Sequence, residues 1–212
     1  MARRMAEEQY RAQQWERRFD SNIKAVNLLC DELSQEAGER PVPYVDPMHD
    51  LDECRIVSLS STPGAGVESG FISCENDDDS AARLAAVYEE VGLEPRFVMP
   101  WNVYPWYVAD KQDAKLTKAQ ITEGLQPFRR FLKTVERASA VVAHGAEAHK
   151  LAGMLDRTAD RHLFARGFKI YRVRSAGGRA FIGSPEQQQA WLLEMRDAYW
   201  DAMGRAGIRP TG

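Results

Sequence analysis

Residues 139–157, SAVVAHGAEAHKLAGMLDR, set a short apolar run directly against a charged, helix-forming stretch. A run of this length closed by Gly reads as a strand covered on both faces, and AEAHKLAGMLDR reads as the helix that follows it. A strand passing straight into a helix is the repeating unit of an α/β fold. The same unit recurs on either side of this stretch. CRIVSLSS (54–61) precedes DSAARLAAVYEEVG (79–92), a helix with Leu84, Val87, Tyr88 and Val91 on one face and Gly92 at its end. RFVMPW (96–101) precedes a helix that TKAQ opens with a capping box from Thr117 to Gln120, and that Gly124 and Pro127 break. FKIYRVR (168–174) precedes the last helix, where SPEQ supplies Ser184 as N-cap, a proline in the first turn and Gln187 to complete the box. Trp191, Met195, Tyr199 and Met203 form the buried stripe of that helix.

Four strands alternating with helices predict an α/β domain: a central, mainly parallel four-stranded sheet with helices on both faces and right-handed crossovers. Ahead of it, Trp15, Phe19, Ile23, Val26, Leu29 and Leu33 recur every three or four positions, so one helix is expected to run to about Gly38, before RPVPYVDP. The chain therefore divides into an N-terminal helical extension, 1–40, and the α/β domain, 41–212. The first dozen residues are charged and are expected to fray. The helix itself reads either as packing on the outside of the domain or as an arm for a partner.

With 212 residues, 44% hydrophobic and 28% charged, the chain is long enough to bury a core. A formal net charge of -3 argues against indiscriminate coating of nucleic acid while leaving room for a local basic face. Three Cys without C-x-x-C spacing fit neither a disulfide framework nor a zinc knuckle, and read as reduced thiols in a cytoplasmic protein. The mixed-charge start lacks the apolar run of a signal peptide, and no stretch approaches the roughly 20 apolar residues of a membrane span. No membrane partner is expected, and no helix pattern is long or regular enough for a coiled coil, so a monomer is expected.

In a parallel sheet the ligand site lies beyond the carboxyl ends of the strands. Four loops leave those ends: STPGAGVESGF (61–71), WNVYPWYVADKQ (101–112), HGAE (144–147) and RSAGGRAFIGSP (174–185). In the first, Pro63 with Gly64, Gly66 and Gly70 suits either a plain turn or backbone amides approaching an anion; it is neither a Walker sequence nor a GxGxxG fingerprint. ENDDD (75–79) either complements a helix dipole or supplies a general base or metal ligand from Glu75, Asp77 or Asp78. Asn102 offers a donor and an acceptor to the edge of a planar ligand such as a nucleobase. Trp101, Tyr104 and Trp106 are either its stacking faces or core. His144 and His149 are either structural or catalytic. Seven basic residues against one acid between Arg157 and Arg179 read either as a phosphate-binding face or as solvated charge, with Gly177 and Gly178 favouring a loop on a nucleic-acid backbone.

VPYVDP from Val42, TPGAG from Thr62, ENDD from Glu75, WNVYPW from Trp101 and HG at His144 together resemble a bacterial subgroup of the uracil-DNA glycosylase superfamily, over residues 20–203. The resemblance implies an enzyme that flips a nucleotide out of DNA and hydrolyses the bond between base and deoxyribose, with DNA as partner, no cofactor and no metal. It implies base reading by Asn102, with Tyr104, Trp106, Glu75 and Asn76 beside it. Water positioning and phosphate contact fall to Thr62, Pro63, Gly64 and Gly66. The fourth loop, with Arg174, Ser175, Gly177, Gly178 and Arg179, enters the DNA and helps the base depart. Two features differ from the superfamily's usual pattern. Thr62 stands where Asp or Asn often precedes the proline, which brings in Asp77 or Asp78 as the water's partner. RVRSAGGRAF replaces a His-Pro-Ser pattern, which brings in Ser175, Arg174 or Arg179 with His144. These departures leave two substrates in view, uracil in repair or a bulky modified cytosine, such as a glucosylated hydroxymethylcytosine of phage DNA, in antiviral defence. A non-catalytic module that recognises an unusual base and a nucleoside hydrolase are the competing readings.

Overall fold

The structure, a computed structural model, describes residues 3–63, 69–108, 115–158 and 161–211, with the backbone alone at positions 162 and 164. The helices are α1 (Glu8–Arg17), α2 (Lys24–Glu36), α3 (Asp79–Glu90), α4 (Lys118–Glu123), α5 (Leu125–Thr134), α6 (Gly145–Asp156), α7 (Arg161–Ala165) and α8 (Pro185–Ala206). The strands are β1 (Tyr44–Val45), β2 (Ile56–Ser60), β3 (Phe71–Ile72), β4 (Val98–Asn102), β5 (Ala140–His144) and β6 (Lys169–Val173). The main sheet is four-stranded and wholly parallel in the order β4-β2-β5-β6. This is the expected α/β architecture, and both expected capping boxes, at Thr117 and Ser184, are formed.

Period-two alternation sorts the strand side chains onto two cores. Val57, Leu59, Met99, Trp101, Val141 and Ala143 pack against α2, α5 and α6. Ile56, Val98, Ala140, Val142 and Val173 pack against α3 and α8. All five residues of β5 are buried, as the apolar run 140–143 requires of a central parallel strand. The break at Gly124 has a packing reason: a β-carbon there would lie 1.7 Å from the Val103 carbonyl oxygen.

The N-terminal segment differs from expectation in two ways. The single helix is two, because Asn27, fully buried, spends its amide on the Arg18 and Val45 carbonyls (2.7 and 3.0 Å) and accepts from the Val45 amide (2.8 Å). That clamp holds the turn between α1 and α2 against β1, which pairs in parallel with β3 as a separate two-stranded sheet. The described part of that charged stretch, from residue 3, is also folded onto the domain: α1 starts at Glu8, and Met5 is buried. Val26, Leu29, Cys30 and Leu33 of α2 lie in the same core as the sheet, so packing is continuous across position 40. No helix among the described residues is long and apolar enough to cross a membrane.

Candidate functional site

β2 connects through α3 to β4 on one side, whereas the chain from β4 crosses to β5 on the other, so connections diverge at the carboxyl end of β2. Such a switch point opens a crevice. Around it stand Asn102 at the end of β4, Ser61 and Thr62 after β2, Gly145 to Glu147 after β5 and Arg174 to Gly177 after β6.

Asn102 pairs in register with Ser60 and is only 2% exposed, yet its Nδ2 has no hydrogen-bond partner among the described residues. A buried amide donor left without an acceptor costs about 1–3 kcal/mol, so an unpaired one is informative. The aromatic residues around it do not supply stacking faces. Trp101 lies against Phe131 with centroids 4.3 Å apart, inside the core. Trp106 is buried and donates from Nε1 to the Leu33 carbonyl at 3.0 Å; Tyr104 is buried, bonded through its hydroxyl to Arg40 and set edge-on to Trp106. The base-contacting roles expected of Tyr104 and Trp106 give way to core packing, Trp106 being turned towards α2 and Tyr104 held between Trp106 and Arg40.

The acidic segment is also committed elsewhere. Glu75 accepts from the Arg4 side chain (3.0 Å) and the Arg4 amide (3.2 Å), while its carbonyl accepts from the Met5 amide. Asn76 staples the end of the first loop, accepting from Ser69 (2.8 Å) and donating to the Phe71 carbonyl (2.9 Å). Asp77 is exposed and paired with Arg3 at 2.9 Å. Asp78 is the N-cap of α3, accepting from the amides of Ser80 and Ala81. The general-base role expected of Asp77 or Asp78 and the base contact expected of Glu75 and Asn76 are therefore replaced by capping, stapling and ion pairing with the N-terminal segment.

Thr62 is half-buried at the crevice, its hydroxyl unbonded among the described residues, and Pro63 is buried behind it. Gly64 and Gly66 lie outside the described residues. Across the crevice Glu147, in the first turn of α6, accepts from the Ser61 hydroxyl at 3.4 Å. Sequence reasoning missed Glu147 because an acid in a first helical turn is accounted for by the helix dipole. What marks it is the crossing of β4 to the far side of β2, which brings α6 beside the first loop.

His144 turns inward rather than to the crevice. It is 1% exposed, with Nε2 2.8 Å from the Tyr199 hydroxyl and 3.3 Å from that of Ser58; Tyr199 in turn donates to Ser58 at 2.9 Å and lies 3.3 Å from the Tyr88 hydroxyl. Burial pushes its pKa down to about 4, with the Arg174 backbone acting weakly the other way, so the ring is neutral at neutral pH. The catalytic role expected of His144 thus becomes a structural one. His149 bridges the Ala143 and Val173 carbonyls (3.1 and 2.9 Å), tying β5 to β6.

The fourth loop packs tightly on this frame. Gly145 has φ +86°, and a β-carbon there would meet the Ser175 β-carbon at 2.9 Å. The Gly177 amide donates to the Ser175 hydroxyl, and Gly178 opens a 3-10 turn to Phe181. Arg174 stacks 3.6 Å over Trp191 and donates to the Ala180 carbonyl, while Arg179 is exposed. Arg83 of α3, absent from the sequence reading, donates to the Ala176 carbonyl at 2.8 Å and covers Phe181, fixing the loop from outside. The rest of the basic run is dispersed: Arg166 caps the Leu132 and Val135 carbonyls, Lys169 pairs with Asp201 and Arg172 with Asp156. Only Arg174 and Arg179 of that run stand on the site loop. No group of three or more His, Cys, Asp or Glu among the described residues could hold a metal ion. No family model matches the chain, and no curated protein matches it.

Proposed function

We propose that the protein is a DNA glycosylase acting on a non-canonical pyrimidine, as the resemblance to the uracil-DNA glycosylase superfamily implies. The observation that carries this reading is the buried, unpartnered Nδ2 of Asn102 at the crevice, a donor waiting for an acceptor on a planar ligand. In this reading Asn102 donates to a carbonyl of the extruded base and strengthens that bond as negative charge develops on it. Arg174, Arg179 and the glycine-bordered loop hold the strand's phosphates. Ser61, Thr62 and Glu147 stand where the water is expected, and Glu147 takes the part of the carboxylate absent from the first loop.

The chemistry balances without a cofactor. A water oxygen bonds to C1′ as the N-glycosidic bond breaks, the base leaves with the bonding electron pair, Glu147 accepts the water's proton, and the departing base is protonated from solvent. The product is an abasic site.

Alkaline cleavage of DNA after incubation with the protein tests this, comparing a uracil oligonucleotide with phage DNA whose cytosines carry glucosylated hydroxymethyl groups. Scission at uracil assigns the protein to repair, and scission only in the modified DNA assigns it to defence. Binding that depends on Asn102 without any abasic site under either condition would leave a non-catalytic reader of unusual bases. Glu147→Gln, isosteric but unable to accept the proton, is expected to lower turnover roughly 100-fold or more while binding is kept. Unchanged turnover in that variant would remove Glu147 from the mechanism.

A further inference from the structure

The fourth loop stands on two feet in one core. Ala176 and Phe181 are both buried, in the same cluster as Met195 and Tyr199 of α8. Between them run Gly177, Gly178, Arg179 and Ala180. Side-chain packing does little to fix that arch, since two of its four residues are glycines and a β-carbon on Gly178 would meet nothing within 4 Å. A glycine pair has wide conformational freedom and loses it when a ligand orders the backbone.

One side chain from a distant part of the sequence touches both feet. Arg83, in the second turn of α3, donates from Nη1 to the Ala176 carbonyl at 2.8 Å and lays its guanidinium 4.7 Å over the Phe181 ring. Asp79 also lies 3.8 Å from Nη2, but that carboxylate is 68% exposed and is bonded to Arg3 at 2.7 Å. A loose, exposed ion pair contributes little, so the carbonyl and the ring decide where the guanidinium lies. The Arg83 side chain is only 25% exposed, and reduced contact with water strengthens both of those contacts. Bonding a carbonyl while covering a ring takes a flat group with several donors, which lysine does not have.

We propose that Arg83 is the positioning residue of the fourth loop, holding the arch 177–180 in one shape so that a nucleic-acid strand meets a loop already ordered. Less freedom is then lost on binding, and affinity rises without a further contact to the strand. Arg83 itself touches no phosphate. The identity of the strand rests on the glycosylase reading, whereas the hold on the loop rests on the contacts of Arg83.

Amide hydrogen exchange read by mass spectrometry tests the hold in the full chain without a ligand. Arg83→Met keeps an apolar stem over Phe181 but no donor, and Arg83→Lys keeps the charge but not the flat fork. In both, exchange across 176–181 is expected to rise roughly tenfold while that of β5 is unchanged. Binding of a labelled single-stranded uracil oligonucleotide, followed by fluorescence anisotropy at several salt concentrations, tests the consequence. Both variants are expected to bind roughly three- to tenfold more weakly, with the salt dependence of the wild type, because no phosphate contact is lost. Wild-type exchange or affinity in Arg83→Lys would reduce Arg83 to a point charge and overturn the proposal. A shallower salt dependence in Arg83→Met would make Arg83 a phosphate contact, and exchange raised in β5 as well would make it a residue of general stability; either overturns it, as does a wild type that binds no strand. Failure of the glycosylase reading shows separately, as Arg83-dependent exchange and binding in a protein that never leaves an abasic site.

Discussion

At the scale of single residues, Asn102 and Gly145 make opposite demands on the chain. Asn102 holds an unpaired donor in the core, so Asn102→Ala removes a destabilising group along with the base-reading group of the proposed glycosylase. Thermal unfolding of Asn102→Ala is expected to stay within about 1 kcal/mol of the wild type, while under the proposed glycosylase reading base excision falls roughly 100- to 1000-fold. A large loss of stability without loss of excision would make Asn102 a structural residue. Gly145, by contrast, is required by the backbone. At φ +86° a side chain is strained, and the atom it would strike is the Ser175 β-carbon, which has no flexible end to swing aside. Gly145→Ala should therefore cost about 2 kcal/mol or more in denaturant unfolding and displace the fourth loop. The two residues also differ in how legible they were. Asn102 stands out in the sequence by its place at a strand end among prolines and aromatics, whereas the need for glycine at 145 depends on a loop 30 positions further along the chain.

Secondary-structure elements are joined here by polar contacts as well as by apolar packing. Tyr199 links α8 to β2 and β5 through Ser58 and His144, and to α3 through Tyr88, all within a buried layer. Burial raises the Tyr199 pKa to about 12, so its hydroxyl remains a donor at neutral pH. Tyr199→Phe leaves His144 and Ser58 short of a partner and is expected to destabilise by about 1–3 kcal/mol in chemical denaturation, far more than an exposed Tyr→Phe change. A change within about 0.5 kcal/mol would mean that the layer relaxes around the loss. The four strands and the helices that follow them were legible because a buried apolar run and a 3.6-residue period are local properties. The turn between α1 and α2 was not, because Asn27 looks like an ordinary helical position until the Val45 backbone is brought beside it.

For the molecule as a whole, the inward-facing His144 predicts a particular acid sensitivity. Its folded pKa of about 4 lies below the value of about 6.5 expected in the unfolded chain, so between those pH values the unfolded state binds more protons. Its contribution is thus intact above pH about 6.5 and is lost as pH falls towards about 4, amounting to about 3 kcal/mol across the window. Burial lowers the His49 pKa in the same direction and raises that of Asp46, whose contribution has the opposite sign. Unfolding free energies measured across that window should decline more steeply for the wild type than for His144→Asn, and equal slopes would place the acid sensitivity elsewhere. By itself the sequence determined the α/β class, the four parallel strands, both capping boxes and the edge of the sheet where unusual residues gather, since each follows from periodicity or from short-range hydrogen-bond chemistry. Only the tertiary structure decided that His144 faces a core, that Trp106 faces α2 and Tyr104 is buried beside it, that the acidic segment is held by the N-terminal residues, and that Glu147 meets the first loop. The physical reason is that side-chain direction at a strand end, and the partner of a charge, depend on the strand order β4-β2-β5-β6 and on contacts between residues more than 60 positions apart.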